Sequence, residues 1–207
     1  FCGLEFIVDQ NVLIPRSPFG DLIQKGFQPW LGEREINRVL DLCCGSACIA
    51  IACAYAAPHI EVVAADISLE ALAIAQKNVH KHQLQDRVQL LQSDCLKSLI
   101  EEKFDLIICN PPYVDAHDMA TLPVEYQHEP ALALASGDDG LDFVRELLSS
   151  AAQHLNPGGL LFCEVGNSMQ HMFEQYPNVP FTWIDFEHGD DGIFLISRED
   201  LMSYFAA

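Results

Sequence analysis

Apolar residues fall along this chain in short runs separated by turns of small residues. Arg38 to Leu42 is a short apolar strand, and Ile49-Ala50-Ile51-Ala52-Cys53-Ala54, after such a turn, reads as a buried helix. Glu61 to Ala65 repeats the strand signal and ends in Asp66; Ser68 can cap a helix over Leu69 to His82, with Glu70 just inside its first turn. Val88 to Leu91 is a third strand, ending near Asp94, and Phe104 to Cys109 is a fourth, ending at Asn110. Beyond an irregular stretch from Pro111 to Asp139, Leu141 to Leu155 reads as a helix, and Asn156-Pro157-Gly158-Gly159 turns the chain into the strand Leu160 to Glu164. The tail holds two further strands, Phe181 to Phe186 and Gly192 to Ser197, joined by a turn around Gly189. Alternation of this kind predicts an α/β domain whose mainly parallel sheet carries helices on both faces.

Length and composition are consistent with that picture. The 207 residues, half of them apolar, suffice for one α/β domain with a substantial core, and no composition break, repeat or low-complexity tract marks a second. No apolar run approaches the roughly 20 residues of a membrane-spanning helix, and the amino terminus shows neither a basic leader nor a small-residue cleavage site. A soluble, cytoplasmic protein with no membrane partner is expected. The chain opens at Phe1 rather than at a methionine, as an excised segment of a longer protein would.

Charge and cysteine content narrow the chemistry. Eleven basic against thirty acidic residues give a formal charge of −19, which repels a phosphate backbone and disfavours direct DNA binding; the same charge either attracts a basic protein partner or serves solubility. Five of the eight cysteines, Cys43, Cys48, Cys53, Cys109 and Cys163, lie inside apolar segments, where free cysteine behaves as a small hydrophobe, so disulfides are not expected. Cys44, Cys48 and Cys53 match neither the paired zinc spacing nor a ferredoxin run, and no His-Glu-x-x-His occurs, so no metal site is expected.

In a doubly wound sheet the ligand lies beyond the carboxyl ends of the strands. Four polar clusters fall at such ends. The first, Asp41-Leu42-Cys43-Cys44-Gly45-Ser46-Ala47, is a small-residue turn that would let a ligand approach the backbone, although any strand-to-helix turn can look like this. The second is Asp66 with Ile67, about twenty residues on, where a carboxylate can accept from both ribose hydroxyls or simply be a solvated strand end. In the third, Asp94 could accept from the exocyclic amine of adenine with Cys95 beside it, or cap a helix over Cys95 to Ile100. The fourth, Asn110-Pro111-Pro112-Tyr113, carries the most information. Two prolines end the strand and stiffen the loop, so the Asn110 side chain and the Pro111 carbonyl present fixed acceptors.

With these residues the chain resembles the S-adenosylmethionine-dependent methyltransferases of the Asn-Pro-Pro-Tyr type, and within them the glutamine N5-methyltransferases that modify ribosomal proteins and release factors. Val12-Leu13-Ile14-Pro15-Arg16-Ser17-Pro18, Glu129-Pro130-Ala131-Leu132-Ala133-Leu134, Gly140-Leu141 and Glu164-Val165-Gly166 extend the resemblance over nearly the whole chain. Release-factor enzymes usually carry Pro-Asp after the arginine; Ser17-Pro18 here is similar to the branch that modifies the third protein of the large ribosomal subunit. The resemblance implies a Rossmann-like, doubly wound, mainly parallel seven-stranded sheet with an antiparallel C-terminal strand. It also implies a catalytic domain over residues 1–207, with a small helical substrate-recognition domain upstream. The family's glycine-rich turn usually has three glycines; here Cys43 and Ala47 flank Gly45, which predicts weaker cofactor binding or a slightly altered turn.

An amide nitrogen is a poor nucleophile because its lone pair is delocalised into the carbonyl. By this resemblance Asn110 and Pro111 would accept its two N–H bonds, Pro112 would stiffen the corner and Tyr113 would pack on the amide plane, so that orientation carries much of the catalysis. Arg16 could contact the cofactor, brace the site or lie on the surface, and Glu129 and Glu164 could order the long loop or the site floor. Three rival readings stay open at the sequence level: methylation of adenine amino groups in nucleic acid, which poses the same orientation problem, glutamine methylation of release factors, and a scaffold that has lost catalysis, suggested by the depleted glycine turn.

Overall fold

The computed structural model describes residues 1–116, 130, 133–186 and 192–205. In chain order these form α1 (Phe19–Gln24), β1 (Arg38–Leu42), α2 (Cys48–Ala56), β2 (Glu61–Asp66), α3 (Leu69–Lys81), β3 (Val88–Gln92) and β4 (Phe104–Cys109). Then come α4 (Asp142–Ser150), a 3-10 turn (Ala151–His154), β5 (Leu155–Glu164), a second 3-10 turn (Gly166–Ser168), α5 (Met169–Gln175), β6 (Thr182–Trp183), β7 (Ile193–Ser197) and α6 (Arg198–Phe205).

One seven-stranded sheet runs in the order β3-β2-β1-β4-β5-β7-β6. The pairs from β3 through β5 are parallel, and β7 is antiparallel to both β5 and β6. This is the doubly wound, mainly parallel sheet that the alternation predicted, with its antiparallel strand near the C-terminus. The near-continuous apolarity of the strands follows from their position. Side chains alternate between faces, so Val39, Val62, Ala64, Leu106, Ile108 and Phe162 join α1, α2 and α3 in one core. Leu40, Leu42, Val63, Ala65, Ile107 and Leu161 join α4 and α6 in the other. Both faces are covered, so neither can be polar.

Several elements differ from the sequence reading. The expected turn Asn156-Pro157-Gly158-Gly159 is drawn into β5, where a register shift opposite Phe104 and Leu106 and a left-handed Gly158 (φ +76°) absorb it as an irregularity. The helix expected to reach Leu155 ends at Ser150 and tightens into 3-10 geometry. Cys95 to Ile100 forms turns rather than a helix; Ser93 organises them, its hydroxyl donating to the Cys95 carbonyl (2.7 Å) and accepting from Ser98 N–H (3.1 Å). Of the strand expected over Phe181 to Phe186 only Thr182–Trp183 is regular strand, with Ile184 N–H still donating to the Ile193 carbonyl (2.9 Å), and Phe181 and Trp183 pack with Phe194 in an aromatic cluster. Helices α1, α5 and α6 are additions that the hydrophobic pattern did not announce. The turn around Gly189 and Glu129 lie outside the described residues.

Strand order reverses between β1 and β4: β1 leads outward through β2 to β3, and the chain then returns to the other side of β1. Leu42 and Cys109 are partners there, so the segments leaving β1 and β4 diverge and open a crevice between them.

Candidate active site

The turn after β1 is built by backbone conformation. Cys43 (φ +61°), Gly45 (φ +52°) and Ala47 (φ +61°) are all left-handed, so the two side-chain-bearing residues adopt the conformation that glycine favours. Each non-glycine residue there costs roughly 1–2 kcal/mol, which the surrounding packing has to offset. At Gly45 an added Cβ would meet no protein atom within 4 Å, leaving the backbone open to close approach. Beneath the turn, Asp41 accepts from Ala50 N–H (2.9 Å) and so anchors the start of α2. Burial pushes its carboxyl up to about 8; the Ala50 bond opposes this and the charge of Asp66 adds to it.

Asp66 ends β2 and spans two segments. One of its oxygens accepts from Gly45 N–H (2.9 Å) and the other from Ser68 N–H (2.9 Å). Burial raises its carboxyl above the usual range, while the backbone donors of Ser68 and Gly45 pull the other way. A carboxylate has about four acceptor positions, so capacity remains for hydroxyl donors. Asp94, at the rim, is paired with Lys97 (2.5 Å), which also reaches Glu146 (3.0 Å). Burial raises the thiols of Cys44 and Cys53, which therefore act as packing groups rather than thiolate nucleophiles.

The corner after β4 is held from several sides. The Tyr113 hydroxyl donates to Glu164 (3.0 Å), and the Tyr113 carbonyl accepts from the Ser168 hydroxyl (2.7 Å). An added Cβ at Gly140 would fall 2.2 Å from that carbonyl, and one at Gly166 would fall 2.5 Å from the Tyr113 ring. These are the close approaches that require glycine at Gly140 and Gly166. Among the described residues nothing hydrogen-bonds to the Asn110 side chain, which lines the cleft.

A cleft of about 930 Å³ joins these parts, toward the upper end of the size of small-molecule sites. Cys43, Cys44, Gly45, Ser46, Asp66, Ile67, Asp94, Cys95 and the whole of Asn110 to Tyr113 line it, together with Arg16 and Glu164. Asp41 and Ala47 do not: both are buried below the turn and support it. The segment Asn11 to Pro18 forms a further wall, fastened to α3 by Val12 packing on Ala71 and Ile74. Buried Asn78 completes the fastening, donating to the carbonyls of Ile7 (3.0 Å) and Ser46 (2.9 Å) and accepting from Ile7 N–H (2.7 Å).

Sequence reasoning missed Asn78, Ser93 and Phe143 as site residues. For Asn78 a signal existed, because a polar residue on the apolar stripe of α3 has to find buried partners. Among the described residues no group of three or more His, Cys, Asp or Glu is placed to hold a metal ion, and no helix is long and apolar enough to cross a membrane.

Residues 27–126 match the family model described as "Methyltransferase small domain". The chain is 49% identical over 206 residues to a ribosomal protein uL3 glutamine methyltransferase of Xanthomonas campestris pv. campestris, covering 100% of this chain and 67% of the relative. It is 46% identical over 205 residues to the protein of that name from Francisella tularensis subsp. tularensis, covering 99% of this chain and 65% of the relative. The chain thus spans about two thirds of the length of these relatives. Among solved structures, the hMettl16 catalytic domain in complex with MAT2A 3'UTR hairpin 1 superposes with a TM-score of 0.68 at 18% identity, over 95% of this chain and 75% of that one. A methyltransferase from Pyrococcus furiosus superposes with a TM-score of 0.58 at 19% identity, over 90% and 89%. At such identities the structures speak for the fold alone, a Rossmann-like methyltransferase sheet. With the strand-end carboxylate, the left-handed turn and the diproline corner gathered in one cleft, and with relatives of near 50% identity along its whole length, the chain belongs to the family of ribosomal protein uL3 glutamine methyltransferases.

Proposed function

We propose that this chain is the catalytic domain of an enzyme that transfers a methyl group from S-adenosylmethionine to the side-chain amide nitrogen (N5) of a glutamine in ribosomal protein uL3, in the cytoplasm. The observation that carries the reading is the convergence of the Asn110-Pro111-Pro112-Tyr113 corner and the Gly45–Asp66 turn on one cleft. The residues present fit the cofactor: Asp66 has acceptor capacity for ribose hydroxyls, Asp94 and Cys95 line the same cleft and would face the adenine, and Cys43 to Ser46 offer an approachable backbone, with Asp41, Ala47 and Ile67 supporting or flanking the pocket. When bound, S-adenosylmethionine supplies an electrophilic methyl group on a sulfonium.

The protein's own task is to present the amide. The Asn110 side-chain oxygen and the Pro111 carbonyl accept the two N–H bonds and aim the nitrogen, and the two prolines keep those acceptors from relaxing away. As positive charge develops on the nitrogen, the same oxygens bind it more strongly than in the ground state, which lowers the barrier. Tyr113 packs on the amide plane and favours that charge through its ring. No strong base is needed until the product sheds a proton. A basic ribosomal protein suits a surface of formal charge −19, which a nucleic acid does not.

The test uses full-length enzyme, labelled S-adenosylmethionine and either uL3 lacking the modification or nucleic acid. The expected result is one methyl group on a uL3 glutamine by mass spectrometry. Asn110→Ala should cut turnover by about 100-fold or more while cofactor affinity by calorimetry changes little. Label on nucleic acid instead, or Asn110→Ala at the wild-type rate, would overturn the proposal.

A further inference from the structure

Glu164 is the polar end of an otherwise apolar strand. Cys109 and Cys163 are register partners on β4 and β5, so Asn110 and Glu164, each one residue further on, occupy equivalent positions on neighbouring strands. Its carboxylate is 5% exposed, and a buried carboxylate is costly unless it is hydrogen-bonded. One oxygen accepts from the Tyr113 hydroxyl (3.0 Å) and the other from the Ser17 hydroxyl (2.6 Å). Ser17 in turn accepts from Phe19 N–H (3.2 Å) at the entry to α1. Two walls of the cleft, the tyrosine of the corner and the segment Asn11 to Pro18, are therefore tied to one carboxylate.

We infer that Glu164 is a positioning residue for the methyl acceptor, acting through Tyr113 and bracing the Ser17 segment against the diproline corner. The inference deepens the function proposed above and rests on it. Two constraints already fix the body of Tyr113: Ser168 holds its carbonyl, and Gly166 lies against its ring, backed by Gly192, whose added Cβ would come within 2.8 Å of the Gly166 backbone. Glu164 fixes the remaining freedom, the swing of the ring, from the hydroxyl end. A phenol that donates to a carboxylate also has a more electron-rich ring, which favours positive charge over its face. Both effects act on the transfer step and neither reaches the Asp66 end of the cleft.

The test is a double-mutant cycle in the full-length enzyme, reading kcat on uL3 and cofactor affinity by calorimetry. Glu164→Ala and Tyr113→Phe should each lower kcat by about 10- to 100-fold, with cofactor affinity changed by no more than about threefold. Because both variants remove one shared bond, the double variant should lose no more than the worse single. Glu164→Gln, whose amide oxygen can still accept from Tyr113, should recover most of the rate. Losses that multiply in the double variant, or a cofactor affinity that falls as far as kcat, would show a merely structural role and refute the inference. Should Glu164→Ala fail to fold, Glu164→Gln takes its place, and its smaller loss must vanish in the Tyr113→Phe background. A wild-type enzyme inactive on uL3 sinks the proposed function and this inference together; an active wild type with an equally active Glu164→Ala variant sinks the inference alone.

Discussion

At Asp41 burial decides the protonation state. The carboxyl is 1% exposed, only one of its oxygens finds a hydrogen-bond partner among the described residues, and its titration is pushed up to about 8 from 3.8. Between those values the folded protein holds a proton that the unfolded chain has released. Asp41 therefore favours the fold below about pH 4, and that advantage is lost as pH rises toward 8, by up to about 1.4 kcal/mol per pH unit. Asp41→Asn cannot titrate. Its stability relative to wild type, from urea unfolding at pH 5, 6, 7 and 8, should rise steadily with pH; a constant difference would mean that Asp41 is ionised throughout. Nearby, Cys43 and Ala47 adopt, as side-chain-bearing residues, the left-handed backbone that glycine favours. A left-handed φ is disfavoured for side-chain-bearing residues, not forbidden, and here it recurs at Cys43, Gly45 and Ala47.

At the scale of elements, local chemistry and tertiary context divide the work. Helix α3 begins where the sequence says it should, because the Ser68 hydroxyl accepts from Ala71 N–H (3.1 Å) and satisfies one of the four free donors of the first turn. Ser68→Ala should cost about 1 kcal/mol, read as a lower urea midpoint at unchanged slope; an unaltered midpoint would show that the Ser68 N–H bond to Asp66 holds the helix start alone. The strands β1, β2 and β4 were legible to within a residue because both faces are buried and their central positions are almost all apolar. Helices α5 and α6 were not, since short amphipathic segments carry little periodic signal and form here by packing. Of the two readings open for Asp94, the helix cap fails for a related reason: an aspartate before apolar residues suggests a cap, but the Ser93 hydroxyl bridges the Cys95 carbonyl and the Ser98 N–H and closes turns instead.

At the scale of the whole molecule, charge governs encounter. A chain of formal charge −19 that meets the basic ribosomal protein proposed above would gain association rate from long-range attraction, which salt screens. The KM for uL3 should rise by roughly tenfold between 50 and 300 mM salt, while cofactor affinity by calorimetry holds nearly constant. A KM indifferent to salt would assign the acidic surface to solubility alone.

The sequence determined the apolar strands, the small-residue turn after β1, the strand-end Asp66 and the stiff Asn110-Pro111-Pro112-Tyr113 corner, because each is set by residues within a few positions of one another. Tertiary structure alone decided that Asp41 lies below the cleft rather than in it, that Asn78 fastens the segment from Ile7 onward to the turn, and that Glu164 joins Tyr113 to Ser17 across 147 positions of chain. Parallel strands become neighbours only through crossovers, and the register that aligns Cys109 with Cys163 is a property of the assembled sheet. No local pattern along the chain encodes it.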